Sequence, residues 1–205
     1  MLRRVSIIAA LAVIAGSVVI AVGAAASTRP ARPATVSAPA APAGSQLAAD
    51  VLAARQATAK YATNLARARA DGYRIITRMI PYMGYHFMNP SVTSFDVRRP
   101  PILVYEHRGR AWQLGALEWV FTSMPSKPPL PGASYGVFGA ACHYVDGTFV
   151  FADAQSKCAS KSPQTGAAFS FWHPRLITLH FWVWYPNPAG LYMGTNALAV
   201  PFNAG

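Results

Sequence analysis

Acidic residues are scarce in this chain, in which seven Asp and Glu residues stand against eighteen Lys and Arg residues. The formal net charge of +11 and the 53% content of hydrophobic residues exclude an acidic disordered protein. Only two cysteines are present, which excludes a disulfide-dense miniprotein and a Cys-based zinc finger. Neither a glycine-rich phosphate loop nor a His-Glu-x-x-His zinc motif occurs. These absences leave a globular chain of ordinary domain size whose chemistry rests on a few individual residues.

The first 26 residues have the composition of an export segment and are not expected to belong to the fold. Arg3 and Arg4 precede an uncharged, mostly apolar run from Val5 to Ala26 that ends in three consecutive alanines. This pattern predicts residues 1–26 as a signal peptide that is cleaved after the alanines. An N-terminal membrane anchor is the alternative, because the run is long enough to span a bilayer and would be the only membrane contact. In both cases the remaining chain is predicted to be secreted or otherwise extracytoplasmic.

Beyond this segment, the sequence predicts a linker and one folded domain. Residues 27–46 are rich in proline, alanine and serine, a composition typical of a disordered linker. Residues 47–205 are predicted to form a single α+β domain. Leu47 begins an apolar stripe that advances alternately by four and three residues as far as Ala68, which is typical of one face of an amphipathic helix.

After residue 80 the chain changes to short runs of aromatic and β-branched residues separated by proline, glycine and asparagine. Such runs predict β-strands, with a hairpin turn at Arg108-Gly109-Arg110. The predicted strands are residues 82–88, 101–107, 112–122, 135–139, 148–151, 168–172 and 176–185. One helix followed by meandering strands predicts an N-terminal amphipathic helix packed on a curved antiparallel β-sheet or small barrel.

The two cysteines, Cys142 and Cys158, lie in one loop-like stretch of the sequence. Because compartments outside the cytoplasm are oxidising, we predict that they form a disulfide. A reactive or metal-binding thiol pair is the alternative, although no Cys-x-x-Cys spacing supports it.

Two glutamates and two histidines occupy positions inside otherwise apolar strands. Glu106 and Glu118 are the only glutamates of the chain, and they lie on the two strands of the same predicted hairpin. His86 and His180 lie among aromatic residues in two further strands. Glutamate is almost never fully buried without a partner, and an unpaired buried imidazole costs about 1–3 kcal/mol. We therefore predict that these four side chains share one sheet face.

A group of imidazoles and carboxylates suits a divalent transition metal such as Mn, Fe, Zn or Cu, or an acid–base pair in a ligand pocket. The alternative is a structural polar network without any ligand. Strand alternation places Trp182 and Trp184 on the same face as His180, and these two residues with Tyr85 are predicted to form the pocket wall. The other three histidines carry no pattern that indicates a function, and no residue is assigned a catalytic role.

The motifs around these residues resemble an uncharacterised family of secreted bacterial proteins. Met83 to Pro90 reads Met-Gly-x-His-x-x-Asn-Pro, and Leu179 to Gly190 reads Leu-His-x-Trp-x-Trp-x-x-Asn-Pro-x-Gly, as in that family. Shorter matches are Thr58–Tyr61, Gly72-Tyr73, Leu103–Glu106 and Leu117–Trp119. The resemblance covers roughly residues 50–196, implies secretion and includes the same four polar residues, but it implies no activity. Two cysteines usual in the family are absent here, so a Cys142–Cys158 disulfide would differ from the family's.

The sequence predicts an exported binding domain of unidentified substrate, with a His/Glu pocket for a metal or small ligand. The alternative is a structural or interaction protein of the cell envelope without a small-molecule site. Removing Arg3 and Arg4 with the export segment lowers the net charge from +11 to +9, a charge that could attract an anionic lipid or polymer. Arg74 and Arg78, which share a helical spacing, belong to this basic set. Nucleic-acid binding is not expected, because no module for it is recognised.

Overall fold

The computed structural model of the protein describes residues 43–202. The predicted export segment, residues 1–26, and most of the predicted linker lie outside the described residues. The first helix, α1, spans Ala43–Thr58, so it begins within the stretch predicted as linker. No helix in the described range is both long and apolar enough to cross a membrane.

The N-terminal helical stripe is interrupted where the chain meets the sheet. Helix α1 continues into a 3₁₀ turn at Ala59–Tyr61, and a short helix, α2, follows at Leu65–Ala70. The Tyr61 carbonyl accepts a hydrogen bond from the Tyr105 hydroxyl at 2.8 Å. The Ala62 carbonyl accepts one from the Leu114 amide at 2.7 Å. The Tyr61 carbonyl also accepts the Asn64 amide at 3.2 Å, whereas the Ala62 carbonyl bonds to the sheet, and the predicted stripe forms two helices and not one.

Asn64 begins helix α2 by capping it. Its side-chain oxygen accepts a hydrogen bond from the Arg67 backbone amide at 2.9 Å. We expect Asn64→Ala to lower the free energy of unfolding by about 1 kcal/mol, because one amide at the start of the helix loses its partner. Asn64→Asp keeps an acceptor and should retain wild-type stability in urea unfolding. Equal stability of the alanine and aspartate variants would contradict the capping role.

The β-strands of the described residues form two antiparallel sheets. They are β1 Arg74–Ile80, β2 Gly84–Met88, β3 Ile102–Arg108, β4 Ala111–Phe121, β5 Gly136–Phe138, β6 Ala141–Tyr144, β7 Phe149–Phe151, β8 Phe169–His173 and β9 Leu176–Phe181. The larger sheet has the order β1-β2-β3-β4-β9-β5 and curls into a half barrel, and the smaller sheet has the order β7-β6-β8. The chain therefore has an α+β architecture with a curved antiparallel sheet.

Strands β1 and β6 are absent from the sequence-based assignment. The helix-like spacing of Arg74 and Arg78 is misleading, because both residues lie on β1. The Arg78 guanidinium instead forms an ion pair with Asp146, in the turn that follows β6. Residues 74–80 alternate weakly between polar and apolar types, so their strand conformation depends on pairing with β2.

The two faces of the larger sheet carry separate hydrophobic clusters. Leu103 and Tyr105 of β3 point to the main core, which also contains apolar residues of β4 and β9. Ile102 and Val104 of the same strand point to the opposite face, where they form a smaller cluster that includes Trp182. This division follows from the alternation of side chains along a strand. The polar residues predicted to form a site lie on the face of the smaller cluster.

The predicted disulfide is confirmed. Cys142 in β6 is bonded to Cys158, which follows a 3₁₀ turn at Gln155–Lys157. The Cα atoms are 5.6 Å apart, within the usual range of about 4.4–6.8 Å. The loop closed by this disulfide contains β7, so the bond keeps that edge strand close to the central strand β6.

Candidate metal centre

Three strands of the larger sheet bring two histidines and a glutamate together. Glu118 lies in β4, and His180 is its direct cross-strand neighbour in β9. His86 lies in β2, where it pairs with Val104 of β3. All three side chains are buried on the same face of the sheet. We call His86, Glu118 and His180 the His-Glu-His cluster.

The distances within the cluster fit a shared cation better than direct hydrogen bonds. The His86 Nε2 atom is 3.5 Å from Glu118 Oε2, and the His180 Nε2 atom is 3.8 Å from Glu118 Oε1. Hydrogen bonds of this type span about 2.7–3.2 Å. Two ligands of one tetrahedral cation, each bonded at about 2.0–2.2 Å, lie about 3.4 Å apart. One ligand atom from each residue lies within 4.8 Å of the others, so the cluster could hold a metal ion.

A threonine on the neighbouring strand orients the His86 ring. Thr77 of β1 lies opposite His86, and its Oγ1 atom is 2.7 Å from His86 Nδ1 and accepts the His86 backbone N–H at 3.2 Å. In the tautomer that carries its hydrogen on Nδ1, the Nε2 lone pair faces Glu118. Metal-ligating histidines are held in this manner by a hydrogen bond from the other ring nitrogen.

The His180 imidazole has no hydrogen-bond partner among the described residues, although both of its ring nitrogens are buried. An unsatisfied buried polar atom costs about 1–3 kcal/mol. A cation bound at His180 Nε2 would remove this cost for one of the two nitrogens. The unpaired imidazole beside a carboxylate is therefore the strongest single indication of a ligand site.

Burial favours the neutral form of every member of the cluster. It raises the pKa of Glu118 to about 8 and lowers the pKa of His86 to about 3 and that of His180 to about 4. At neutral pH the two imidazoles therefore already carry free lone pairs for a metal. Only the Glu118 carboxyl must lose a proton before it can act as an anionic ligand.

A cavity of about 360 Å³ adjoins the cluster. All three cluster residues line it, together with side chains of both sheets. The wall is mainly apolar and includes Ile76, Met83, Met88, Ile102, Val120, Phe138 and Phe171. Thr122, Val137 and Pro174 are exposed lining residues, so the cavity reaches the surface. A cation held by three side chains would keep coordination positions open toward this space.

Glu106 does not join the cluster. It shares a sheet face with Ile102, the cross-strand partner of Glu118, but it lies four residues further along β3. Four residues of a strand span about 13 Å, which puts its carboxyl beyond reach of the same cation. The Glu106 side chain is fully buried against Gly84 and Gly115, and its carboxyl oxygens have no hydrogen-bond partner among the described residues. It is a second, separate buried acid.

The aromatic residues predicted as the pocket wall lie elsewhere. Tyr85 points to the opposite face of β2, where its ring is 5.0 Å from that of Trp112. Strand β9 ends at Phe181, four residues before the predicted end, and although Trp182 still lies on the face of His180, Trp184 packs against the main core. The Trp184 indole N–H donates to the Thr58 hydroxyl of α1.

Trp182 supports the cluster without lining the cavity. Its ring is nearly parallel to the His180 imidazole, with centroids 6.4 Å apart, and its indole N–H donates to the Met193 carbonyl at 2.6 Å. The tryptophan therefore packs behind His180, where it limits the movement of the ring.

Two histidines without a sequence signal line the same cavity. His143 lies in β6 and His173 ends β8, and both belong to the smaller sheet. The sequence does not indicate them, because β6 is not predicted and because local sequence patterns carry no information on how one sheet packs against another. The adjacent Cys142 is the only nearby signal, since its disulfide marks this stretch as ordered.

The chain contains one Gly-x-Ser-x-Gly pattern, from Gly132 to Gly136. In serine hydrolases this pattern forms a sharp turn between a strand and a helix. Here Ser134 is exposed on a loop that leads into the short strand β5, so the required context is missing.

Comparisons with known proteins find no match among family models, curated proteins or solved structures.

Proposed function

We propose that this chain is an exported binding domain that holds a divalent transition-metal ion in the His-Glu-His cluster and captures a small, largely apolar ligand beside it. The observation that carries the proposal is the buried, unpartnered His180 imidazole at 3.8 Å from the Glu118 carboxylate. A structural network would bring these groups to hydrogen-bonding distance.

The donor set limits the choice of metal. Two imidazole nitrogens and one carboxylate oxygen suit Zn²⁺, Fe²⁺ and Mn²⁺, and the open positions are typical of centres that bind a water or an exogenous ligand. Magnesium and calcium are disfavoured, because they prefer oxygen ligands. We use Zn²⁺ as the probe because it has no redox chemistry that would complicate a binding measurement.

The cavity defines the ligand class. Its volume of about 360 Å³ falls at the small end of ligand pockets, and its walls are mostly aliphatic and aromatic. A ligand with an apolar body and one oxygen or nitrogen donor would bury its body in the cavity and bind the cation through the donor.

The proposal includes the location and the scaffold of the domain. Export is supported by the apolar segment that precedes the domain and by the Cys142–Cys158 disulfide, which suits an oxidising compartment. Packing of the N-terminal helix on the larger sheet is supported by Arg55 of α1, whose guanidinium lies 4.6 Å above the Trp184 ring and donates to the Val183 carbonyl.

Titration of the chelator-treated protein with Zn²⁺ tests this function. We expect one tight equivalent in the wild type and its loss in His180→Ala, because two remaining ligands hold zinc far more weakly than three. His107→Ala is the matched control, since His107 is stacked on Trp112 outside the cavity and should not affect binding. A folded wild type that takes up no tight zinc would overturn the proposal.

A further inference from the structure

His143 and His173 form a second pair of converging imidazoles on the cavity wall. Ala141 of β6 pairs with His173 of β8, and His143 lies two residues further along β6 on the same face. The two Nε2 atoms are 3.0 Å apart. For a hydrogen bond between them, one Nε2 atom must carry a hydrogen and the other must accept it.

The hydrogen-bond partners of the two Nδ1 atoms determine the tautomer of each ring. The His143 Nδ1 atom is 2.7 Å from the Ile76 carbonyl oxygen, and the His173 Nδ1 atom is 2.6 Å from the Pro174 carbonyl oxygen. A carbonyl oxygen only accepts, so each Nδ1 atom carries a hydrogen and donates it. Each neutral ring then presents a lone pair on Nε2. Two lone pairs that face each other repel, and their approach is stabilised only by a proton or a metal ion between them.

The separation of the two Nε2 atoms fits a metal ion that both rings bind. Two imidazole nitrogens bonded at about 2.0–2.1 Å to one cation lie about 2.9–3.4 Å apart for bond angles between square and tetrahedral values. The observed separation lies inside this range. Donation from Nδ1 to a backbone carbonyl is the usual orientation of a metal-ligating histidine.

We propose that His143 and His173 form a second metal site on the same cavity. The site would take an imidazole-preferring divalent ion such as Zn²⁺ or Cu²⁺, with its remaining positions open to water or to a ligand in the cavity. Aromatic rings hold the pair in place, since the His143 ring stacks on Phe171 at 4.6 Å between centroids. The proposal does not depend on the His-Glu-His cluster, because the two sites share no residue.

Its test is a Zn²⁺ titration of the full chain and its variants. We expect two equivalents in the wild type, and the pair should provide the weaker one because it supplies only two ligands. His173→Ala should lose the weaker equivalent and keep the tight one, and His180→Ala should do the reverse. His107→Ala should keep both. His173→Gln, which retains a long polar side chain, serves as a second variant if the alanine variant melts at a lower temperature.

Cu²⁺ bound to His180→Ala provides an independent spectroscopic readout. Its paramagnetic resonance spectrum should show coupling to two equivalent nitrogens, and this coupling should vanish in the His173→Ala, His180→Ala double variant. A weaker equivalent that persists in folded His173→Ala, or one that never appears in the wild type, would overturn the second site. A wild type that shows the weaker equivalent but no tight one would contradict the first site and leave the second intact.

Discussion

Replacement of Glu118 by glutamine is expected to weaken Zn²⁺ binding at the His-Glu-His cluster by at least about a thousandfold. The substitution preserves shape but removes the only anionic ligand, and the neighbouring imidazoles supply no charge. Competition with a chromogenic chelator measures the change. Glu106→Gln is the matched control, since it alters a buried glutamate outside the cluster and should leave zinc affinity unchanged.

The same residue should govern the pH dependence of binding. Because burial raises the pKa of Glu118 to about 8, zinc must displace its proton at lower pH. Apparent affinity should therefore rise about tenfold per pH unit from about pH 6 to 8 in the wild type and remain nearly flat in Glu118→Gln. The imidazoles contribute no slope in this range, because their pKa values lie near 3 and 4. Equal slopes in the two proteins would show that Glu118 is not a ligand.

The second large effect concerns Glu106 and the stability of the fold. Burial raises the pKa of Glu106 from 4.5 to about 8. Between these values the native protein holds a proton that the unfolded chain has lost, so the free energy of unfolding falls as pH rises. Buried histidines have the opposite effect below their ordinary pKa of 6.5. Between pH 6.5 and 8, the change in the free energy of unfolding therefore reflects the glutamates without a contribution from the histidines.

In this window each buried glutamate should steepen the decline in stability by about 1.4 kcal/mol per pH unit. Urea unfolding in the presence of a chelator measures the decline, to which both Glu106 and Glu118 contribute. Glu106→Gln should remove about half of it, and the double Glu106→Gln, Glu118→Gln variant should be nearly independent of pH. A wild-type slope in Glu106→Gln would mean that its carboxyl has a charged partner or solvent access.

The position of two members of the cluster follows from sequence alone. Alternation in the strand around His180 places its side chain opposite Leu179 and Phe181, and the structure has this arrangement. The same argument assigns Glu118 to a buried face. Scarcity of acids then makes the pairing of Glu118 with a histidine the simplest solution, and β4 and β9 bring these two residues into register.

The failures share a physical cause, which is that strand register and sheet packing are set by distant residues. The sequence predicts Glu106 beside Glu118 because both lie on one hairpin, but strand pairing places Ile102 opposite Glu118. The pairing of β3 and β4 also shifts by one residue at Gly115, so residues beyond it do not face the partners that regular pairing would give them. The cavity wall and the His143–His173 pair depend on the second sheet, whose central strand β6 has only four residues. A strand so short has no reliable periodic signal.

X-ray absorption at the zinc edge, on protein loaded with one equivalent of Zn²⁺, identifies the ligands of the bound ion. We expect scattering from two imidazole rings with Zn–N distances of about 2.0–2.1 Å and from a carboxylate oxygen at about 2.0–2.2 Å. In a His173→Ala background, which removes the second proposed site, the His180→Ala change should remove one imidazole contribution. A spectrum without imidazole scattering, or one that is identical with and without the His180→Ala change in that background, would contradict a metal centre at His86, Glu118 and His180.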